Sequence, residues 1–280
     1  MELGDMANRE TKVVIAAPNF GSALQIAMSE HFAKLFRPEE IVRRSVTDDA
    51  GTQNERLKQA IGQTHPTALI AIDVRPDSET IAAFSASDVP IVLIDEETAA
   101  VSTITTDNRL GGQIAGDYLV AKGRKKIAIV SGKTQVQGSY NAEQRIKGFQ
   151  QALSIGRLSI LPGGLIEVLH YSREDGVSVM PKLLDLGVDA VFCAAGDNCA
   201  AGLLAVAREK KVRIPEEVAI VGFDDLLIAQ LTNPQLTTIR QPLKEIAEAA
   251  YKMVVDQRDD ILHKPQRVVF KPELVVRRSA

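Results

Sequence analysis

The sequence predicts an α/β protein with two parallel sheets covered by helices, on three observations. Short apolar runs alternate with longer helical patterns along all 280 residues, which is the rhythm of βαβ units. Several runs, such as ALIAI at 68–72 and DAVFCA at 189–194, are apolar almost throughout rather than alternating, as strands buried on both faces are. The units are also numerous enough to fit two sheets better than one.

In chain order, KVVIAA at 12–17 opens the first sheet and a helical segment at 22–35 follows. IVRRSV at 41–46 reads as a strand, with Arg43 and Arg44 suiting an edge better than a centre. Helical segments at 53–63 and 77–86 alternate with the strands 68–72 and PIVLI at 90–94. Asp107, a favoured cap, precedes the helical segment 108–122. Lys122-Gly123-Arg124-Lys125-Lys126 is a glycine stop followed by a basic turn. It reads equally as a domain boundary or as a plain helix end before the next strand. The strands 126–131, 164–169 and 189–194 then alternate with helical segments 141–154, 173–186 and 198–211. In 217–222 the apolar run Val218–Val221 ends at Gly222-Phe223-Asp224-Asp225, which opens a short helix closed by Asn233-Pro234. A strand at 236–239 and a helical segment at 242–257 follow. No tandem repeat of about 20–50 residues is visible, so solenoids and propellers are disfavoured.

Composition narrows the function classes. Hydrophobic residues make up 45% and charged residues 25%, the balance of an ordinary globular protein. A net charge of −3 lacks a strongly basic nucleic-acid footprint. No apolar run approaches the length of a membrane span, so no membrane partner is expected. Residues 1–11 are polar, carry no signal-peptide segment and are set aside as a tail. Cys193 and Cys199 are the only cysteines, which suits a reducing, cytoplasmic setting. The four histidines are scattered with no metal-ligand spacing.

Enzyme motifs are not found. Ser131-Gly132-Lys133-Thr134 follows a strand, but a phosphate loop needs glycine at position 127, which is Ile127. No G-x-G-x-x-G follows a predicted strand, and there is no G-x-S-x-G elbow or H-E-x-x-H. Neither an enzyme nor a cofactor is expected.

The run from Val218 to Pro242, VAIVGFDDLLIAQLTNPQLTTIRQP, resembles the sugar-responsive repressors of the lactose repressor (LacI) family. Those proteins use G-F-D-D…P-x-L-T-T-I-x-Q-P here. The resemblance covers residues 12–279 and implies two Rossmann-like lobes of the periplasmic-binding-protein-like type I fold, joined by three crossovers. By position these fall near 122–126, 238–241 and 264–268. The N-terminal lobe would be 12–123 plus 241–266, and the C-terminal lobe 124–240 plus 267–280. A full repressor also carries a helix-turn-helix headpiece, for which residues 1–11 leave no room.

Candidate ligand contacts follow. Paired carboxylates past the end of strand 217–222 lie where open α/β sheets bind ligands. Asp224 reads either as a carboxylate accepting two sugar hydroxyls or as the cap of the helix starting at 226. The resemblance assigns Asp224 to the ligand and leaves Asp225 as the cap. Arg145, in an R-x-x-G-F pattern, reads as a solvated helix position or, by resemblance, as a fork holding vicinal hydroxyls. Asp107 is chiefly a helix cap, with the family placing D-N close to the ligand. At Ala195-Gly196-Asp197-Asn198 the family commonly has A-x-N-D, so the usual Asn is Gly196 and Asp197 is the remaining candidate. Phe20 and Tyr171 are possible stacking rings, with core the plainer reading of each. Gln241 marks a lobe crossing and can also touch ligand.

The resemblance therefore implies the ligand-sensing, dimerising core of a transcription regulator. Its partners would be a small-molecule effector (a sugar or sugar phosphate), a second copy of the chain, and operator DNA through a headpiece. The alternatives are a periplasmic sugar-binding protein of an ABC transporter, expected to be monomeric, and an enzyme on a Rossmann-like fold.

Overall fold

The computed structural model describes residues 11–18, 20–46, 50–134, 140–259 and 264–280, so most of the expected tail lies outside the described residues. The elements in chain order begin with β1 (Val13–Ala17), α1 (Ala23–Leu35), β2 (Ile41–Ser45), α2 (Ala50–Thr64), β3 (Ala68–Ile72), α3 (Ser78–Ala86), β4 (Ile91–Ile94) and β5 (Ser102–Thr106). Next come α4 (Asn108–Ala121), β6 (Ile127–Gly132), α5 (Tyr140–Ile155), β7 (Ile160–Val168), α6 (Arg173–Asp185), β8 (Ala190–Cys193) and α7 (Asp197–Glu209). The chain ends with β9 (Ala219–Asp224), α8 (Leu227–Leu231), β10 (Thr237–Arg240), α9 (Leu243–Asp259), β11 (Arg267–Phe270) and β12 (Glu273–Val275).

The chain divides into two units. One holds the residues up to Thr105 with Leu243–Val269, the other Thr106–Pro242 with Phe270–Ala280. The first unit's sheet has the order β11-β5-β4-β3-β1-β2, which puts the arginine-bearing β2 at an edge. On one face, Val14, Ala16, Leu69, Ala71, Ile91 and Leu93 pack with Leu57 of α2 and Phe84 of α3. Also in this unit, Phe36 after α1 meets Tyr251 of α9 edge to face at 4.8 Å.

The second unit's sheet has the order β12-β10-β9-β8-β6-β7, with only β12 antiparallel to its neighbour. β6, β8 and β9 carry the apolar runs Ile127–Val130, Ala190–Cys193 and Ala219–Val221 because both faces are covered. Ile127, Ile129, Ala190, Phe192, Ala219 and Val221 face α4 and α5. Ala128, Val130, Val191, Cys193 and Ile220 face α6 and α7. Phe149 and Phe192 lie 5.0 Å apart between α5 and the sheet. Burying each such ring contributes roughly 1.5–3 kcal/mol.

Three strands were not among the apolar runs. β5 reads STITT, fully buried yet mostly threonine and serine. Its signal was β-branching rather than hydropathy. β11 and β12 are short and carry charges. β7 starts at Ile160, four residues before the expected 164, and its ladder with β6 is irregular between Ile127 and Ile129. The first unit boundary also differs. It falls after Thr105 rather than after 123, so α4 belongs with the second sheet. The reason is glycine packing between α4 and α5. A Cβ on Gly112 would run into the Arg145 carbonyl, one on Gly148 into the Arg109 carbonyl, and one on Gly116 would lie 2.6 Å from the Ala152 methyl. Each interior glycine costs helix propensity of about 1 kcal/mol, here offset by direct backbone contact between two helices.

Candidate functional site

In the second unit the chain leaves β6 through α5 to reach β7, then returns past β6 to β8. α5 and α7 cover opposite faces. The strand order therefore reverses beside β6, and a crevice at the carboxyl ends of such strands is where open α/β sheets hold ligands.

The G-F-D-D run ends β9 at this edge, and each residue has a distinct task. Gly222 leaves room for the Asp197 carboxylate, which a Cβ would strike. The Phe223 ring lies under the Arg145 guanidinium, 3.7 Å from its carbon to the ring centroid. Asp224 is 9% exposed. Its Oδ1 accepts from Gln241 Nε2 at 2.7 Å, and its Oδ2 faces the bare Cα of Gly196, where a Cβ would sit 2.8 Å away. Asp225 accepts from Arg240 Nε at 2.7 Å and from Arg277 Nη2. Both aspartates have positive φ, 106° and 59°. Such backbone is costly for non-glycine residues and persists only where surroundings hold it.

Asp225 is therefore not the cap of the following helix, as had been expected. α8 begins after Leu226, whose N–H is taken by Asp197 Oδ2 at 2.7 Å. Asp197 is fully buried, and its Oδ1 accepts from Thr238 Oγ1 at 2.6 Å. Both its oxygens thus bond within the protein. Burial pushes the Asp197 carboxyl well above its ordinary range, and the neighbouring Asp224 adds to this. Burial also raises Asp224, opposed by Arg145 and by the Gln241 hydrogen bond.

Arg145 is oriented on three sides. Nε donates to Asn108 Oδ1 at 2.7 Å, Nη1 donates to the Ala194 carbonyl at 2.8 Å, and Phe223 lies beneath. Nη2 has no protein partner among the described residues. Asn108, 4% exposed, is in turn held through Nδ2 by the Thr106 carbonyl and Asn141 Oδ1. Sequence reasoning missed Asn108 and Asn141 as the groups that aim Arg145. Their only signal was the D-N pair at 107–108 and the turn of α5 carrying Arg145.

The other expected contacts divide. Asp107 caps α4, Oδ1 accepting from Leu110 N at 2.9 Å. Gln241 is 3% exposed, and its Oε1 has no partner among the described residues. Tyr171 is 45% exposed and lays its hydroxyl against Gly132 at the end of β6. Phe20 is half-buried and belongs to the first unit, after β1. Asp224, Arg145, Gln241 and Asp197 thus form one connected group, with Asp107 joined to it through the start of α4.

Residues 116–280, more than half of the chain, match the profile of the periplasmic binding protein-like domain. The chain belongs to that family. It is 31% identical over 216 residues to the HTH-type transcriptional repressor PurR of Klebsiella pneumoniae, across 75% of this chain and 62% of that protein. It is 29% identical to the HTH-type transcriptional regulator DegA of Bacillus subtilis, across 80% of this chain and 65% of that protein. The chain thus spans just under two thirds of the length of these curated relatives. Its fold matches the transcriptional regulator CelR–cellobiose complex with a TM-score of 0.81 at 25% identity, over 98% of this chain and 86% of that one. A LacI family transcriptional regulator from Enterococcus faecium with bound ribose matches at 0.83 and 22% identity, over 96% and 98% of the two chains, which shows the shared fold. The resemblance first read from the G-F-D-D…Q-P run thus agrees with the family match and with the likeness to transcriptional regulators.

The first unit also has an acidic edge, which sequence reasoning did not single out. Glu96 follows β4 and is 7% exposed. Burial pushes its carboxyl up to about 6, Arg75 opposes this, and Asp73 adds to it. The native state therefore holds the Glu96 proton more tightly than the unfolded chain does. Its penalty is absent below the ordinary value near 4.5 and grows as pH rises toward 6. Glu96→Gln is expected to raise thermal stability above pH 6 by up to about 2 kcal/mol, with no gain at pH 4. Melting curves of both proteins across this pH range check it.

Proposed function

We propose that this chain is the ligand-sensing and dimerising core of a LacI-type transcriptional regulator, acting in the cytoplasm. The observation that carries the reading is the Asp224–Gln241–Arg145 group at the carboxyl ends of β8, β9 and β10. A sugar hydroxyl is both donor and acceptor. Asp224 Oδ2 can accept from one hydroxyl while Arg145 Nη2 donates to its neighbour. Asp197 acts as a positioning residue that ties the start of α7 to β9 and β10. Tyr171 offers a ring face just past the end of β7. Asp107 caps α4 and thereby places Asn108 to accept from Arg145 Nε. Relatives solved with cellobiose and with ribose support a sugar as the ligand class. Ligand binding shifts the balance between two conformations of the core, and a DNA-reading headpiece responds.

A thermal-shift screen of sugars tests the ligand, because a molecule specific for the native state raises its apparent stability. Light scattering tests the dimer. A monomer at micromolar concentration would favour the periplasmic receptor of an ABC transporter. A mobility-shift assay at moderate salt is expected to show no sequence-specific DNA binding by these 280 residues, whose net charge is −3.

Arg145→Lys is expected to weaken sugar binding about tenfold, or about 1.4 kcal/mol. An ammonium keeps the charge but cannot bond Asn108 and the Ala194 carbonyl and still offer a planar donor edge. Titration calorimetry measures this. Unchanged affinity would remove Arg145 from the site.

A further inference from the structure

We infer that the second unit's edge selects a non-anionic effector, one that meets Asp224 and Gln241 with hydrogen donors and carries no phosphate or carboxylate there. The inference rests on the effector-site reading above and names the ligand's charge class. The argument is a census of donors and acceptors. The Gln241 amide donates through Nε2 to Asp224 Oδ1. Its Oε1, on the same amide carbon and beside the same carboxylate, is buried without a partner among the described residues. Asp224 Oδ2 has no hydrogen-bond donor among the described residues and faces Gly196, which brings no side chain. Gln241 Oε1 is thus a buried acceptor, Asp224 Oδ2 is a second acceptor on the residue it is bonded to, and each takes a hydrogen from outside the described residues.

The charges agree with that count. Asp197 lies within electrostatic reach of Asp224, so two carboxyl groups share the place. Arg145 is a cation that faces Asp224, and Asn108 and the Ala194 carbonyl occupy two of its three nitrogens. Lys133 is exposed on the loop after β6, two strands or roughly 10 Å from β9. A phosphate ester would bring acceptors to acceptors and negative charge to carboxylates. A hydroxyl or an amine supplies the missing hydrogens.

The test uses the full chain and matched probes: ribose with ribose 5-phosphate, glucose with glucosamine and glucose 6-phosphate, and cellobiose. Thermal shift finds the binders, and titration calorimetry ranks them. The expected result is that a neutral or amino member binds and its phosphate is at least roughly tenfold weaker, since juxtaposed like charges are strongly disfavoured. In Asp224→Asn, with the charge removed, that handicap is expected to shrink. In Gln241→Leu the neutral sugar is expected to weaken while the handicap persists, which keeps the test open if one variant folds poorly. A phosphorylated probe binding as tightly as its parent overturns the inference and leaves the effector-site reading intact. A handicap of equal size in Asp224→Asn also overturns it. No binding by any member overturns the sugar reading itself, and the inference with it.

Discussion

Asp224→Ala is expected to abolish sugar binding while the chain stays folded. The carboxylate stands at the carboxyl end of β9 with Oδ1 on Gln241 and Oδ2 open. A charge-assisted hydrogen bond to a buried hydroxyl is worth about 1.5–3 kcal/mol, or ten- to over a hundredfold in affinity. Losing the carboxylate also frees the Gln241 amide, which then has no fixed direction, so the measured loss should lie at or beyond the upper end. Stability should change little by comparison. The variant loses one hydrogen bond but also a carboxyl group that burial already disfavours in its charged form. Calorimetric titration with the sugar found by screening, beside a melting curve of the free protein, separates the two effects. A folded variant with unchanged affinity would reduce Asp224 to a turn residue.

Gly148→Val is expected to produce the largest loss of stability in the second unit. A Cβ there falls on the Arg109 carbonyl, a backbone atom that cannot swing aside. The α4–α5 contact must open, and overpacking of this kind costs about 3 kcal/mol. The same displacement moves Arg109 and its neighbour Asn108, so Arg145 loses its orientation together with the helix pair. Urea unfolding should show a midpoint well below that of the parent protein, and any surviving native protein should bind sugar weakly. Val at exposed Gly187 makes a poor control, because that residue has φ of 66°. Gly62 is the better one, since a Cβ there meets nothing within 4 Å.

Legibility followed burial. The central strands β3 and β8 are apolar along their whole length, and β6 and β9 are apolar up to Val130 and Phe223, because helices cover both faces, and such runs are visible in one dimension. β5 was invisible to the same rule, since its buried residues are three threonines and a serine around Ile104. The D-D pair was visible too, at the end of an apolar run, but its division of labour was not. Asp225 reads as a helix cap by position and is instead held by Arg240 of β10 and Arg277 of the C-terminal segment. Neither arginine is near it in sequence, so no local pattern could assign the partner.

By itself, then, the sequence determined the βαβ rhythm, the parallel sheets and the place of the carboxylates, because each depends on residues a few positions apart. Tertiary structure alone decided what those groups can do. Asp197 became a buried strut once β10 brought Thr238 to its Oδ1 and the turn after β9 brought Leu226 N–H to its Oδ2. Arg145 became a fixed donor through Asn108, 37 positions earlier in the chain, and through the end of β8. Helix α4 joined the second unit because glycines on α4 and α5 let two backbones touch. Hydrogen bonds and close packing depend on distances of about 3–4 Å between atoms, and separation along the chain carries no measure of those.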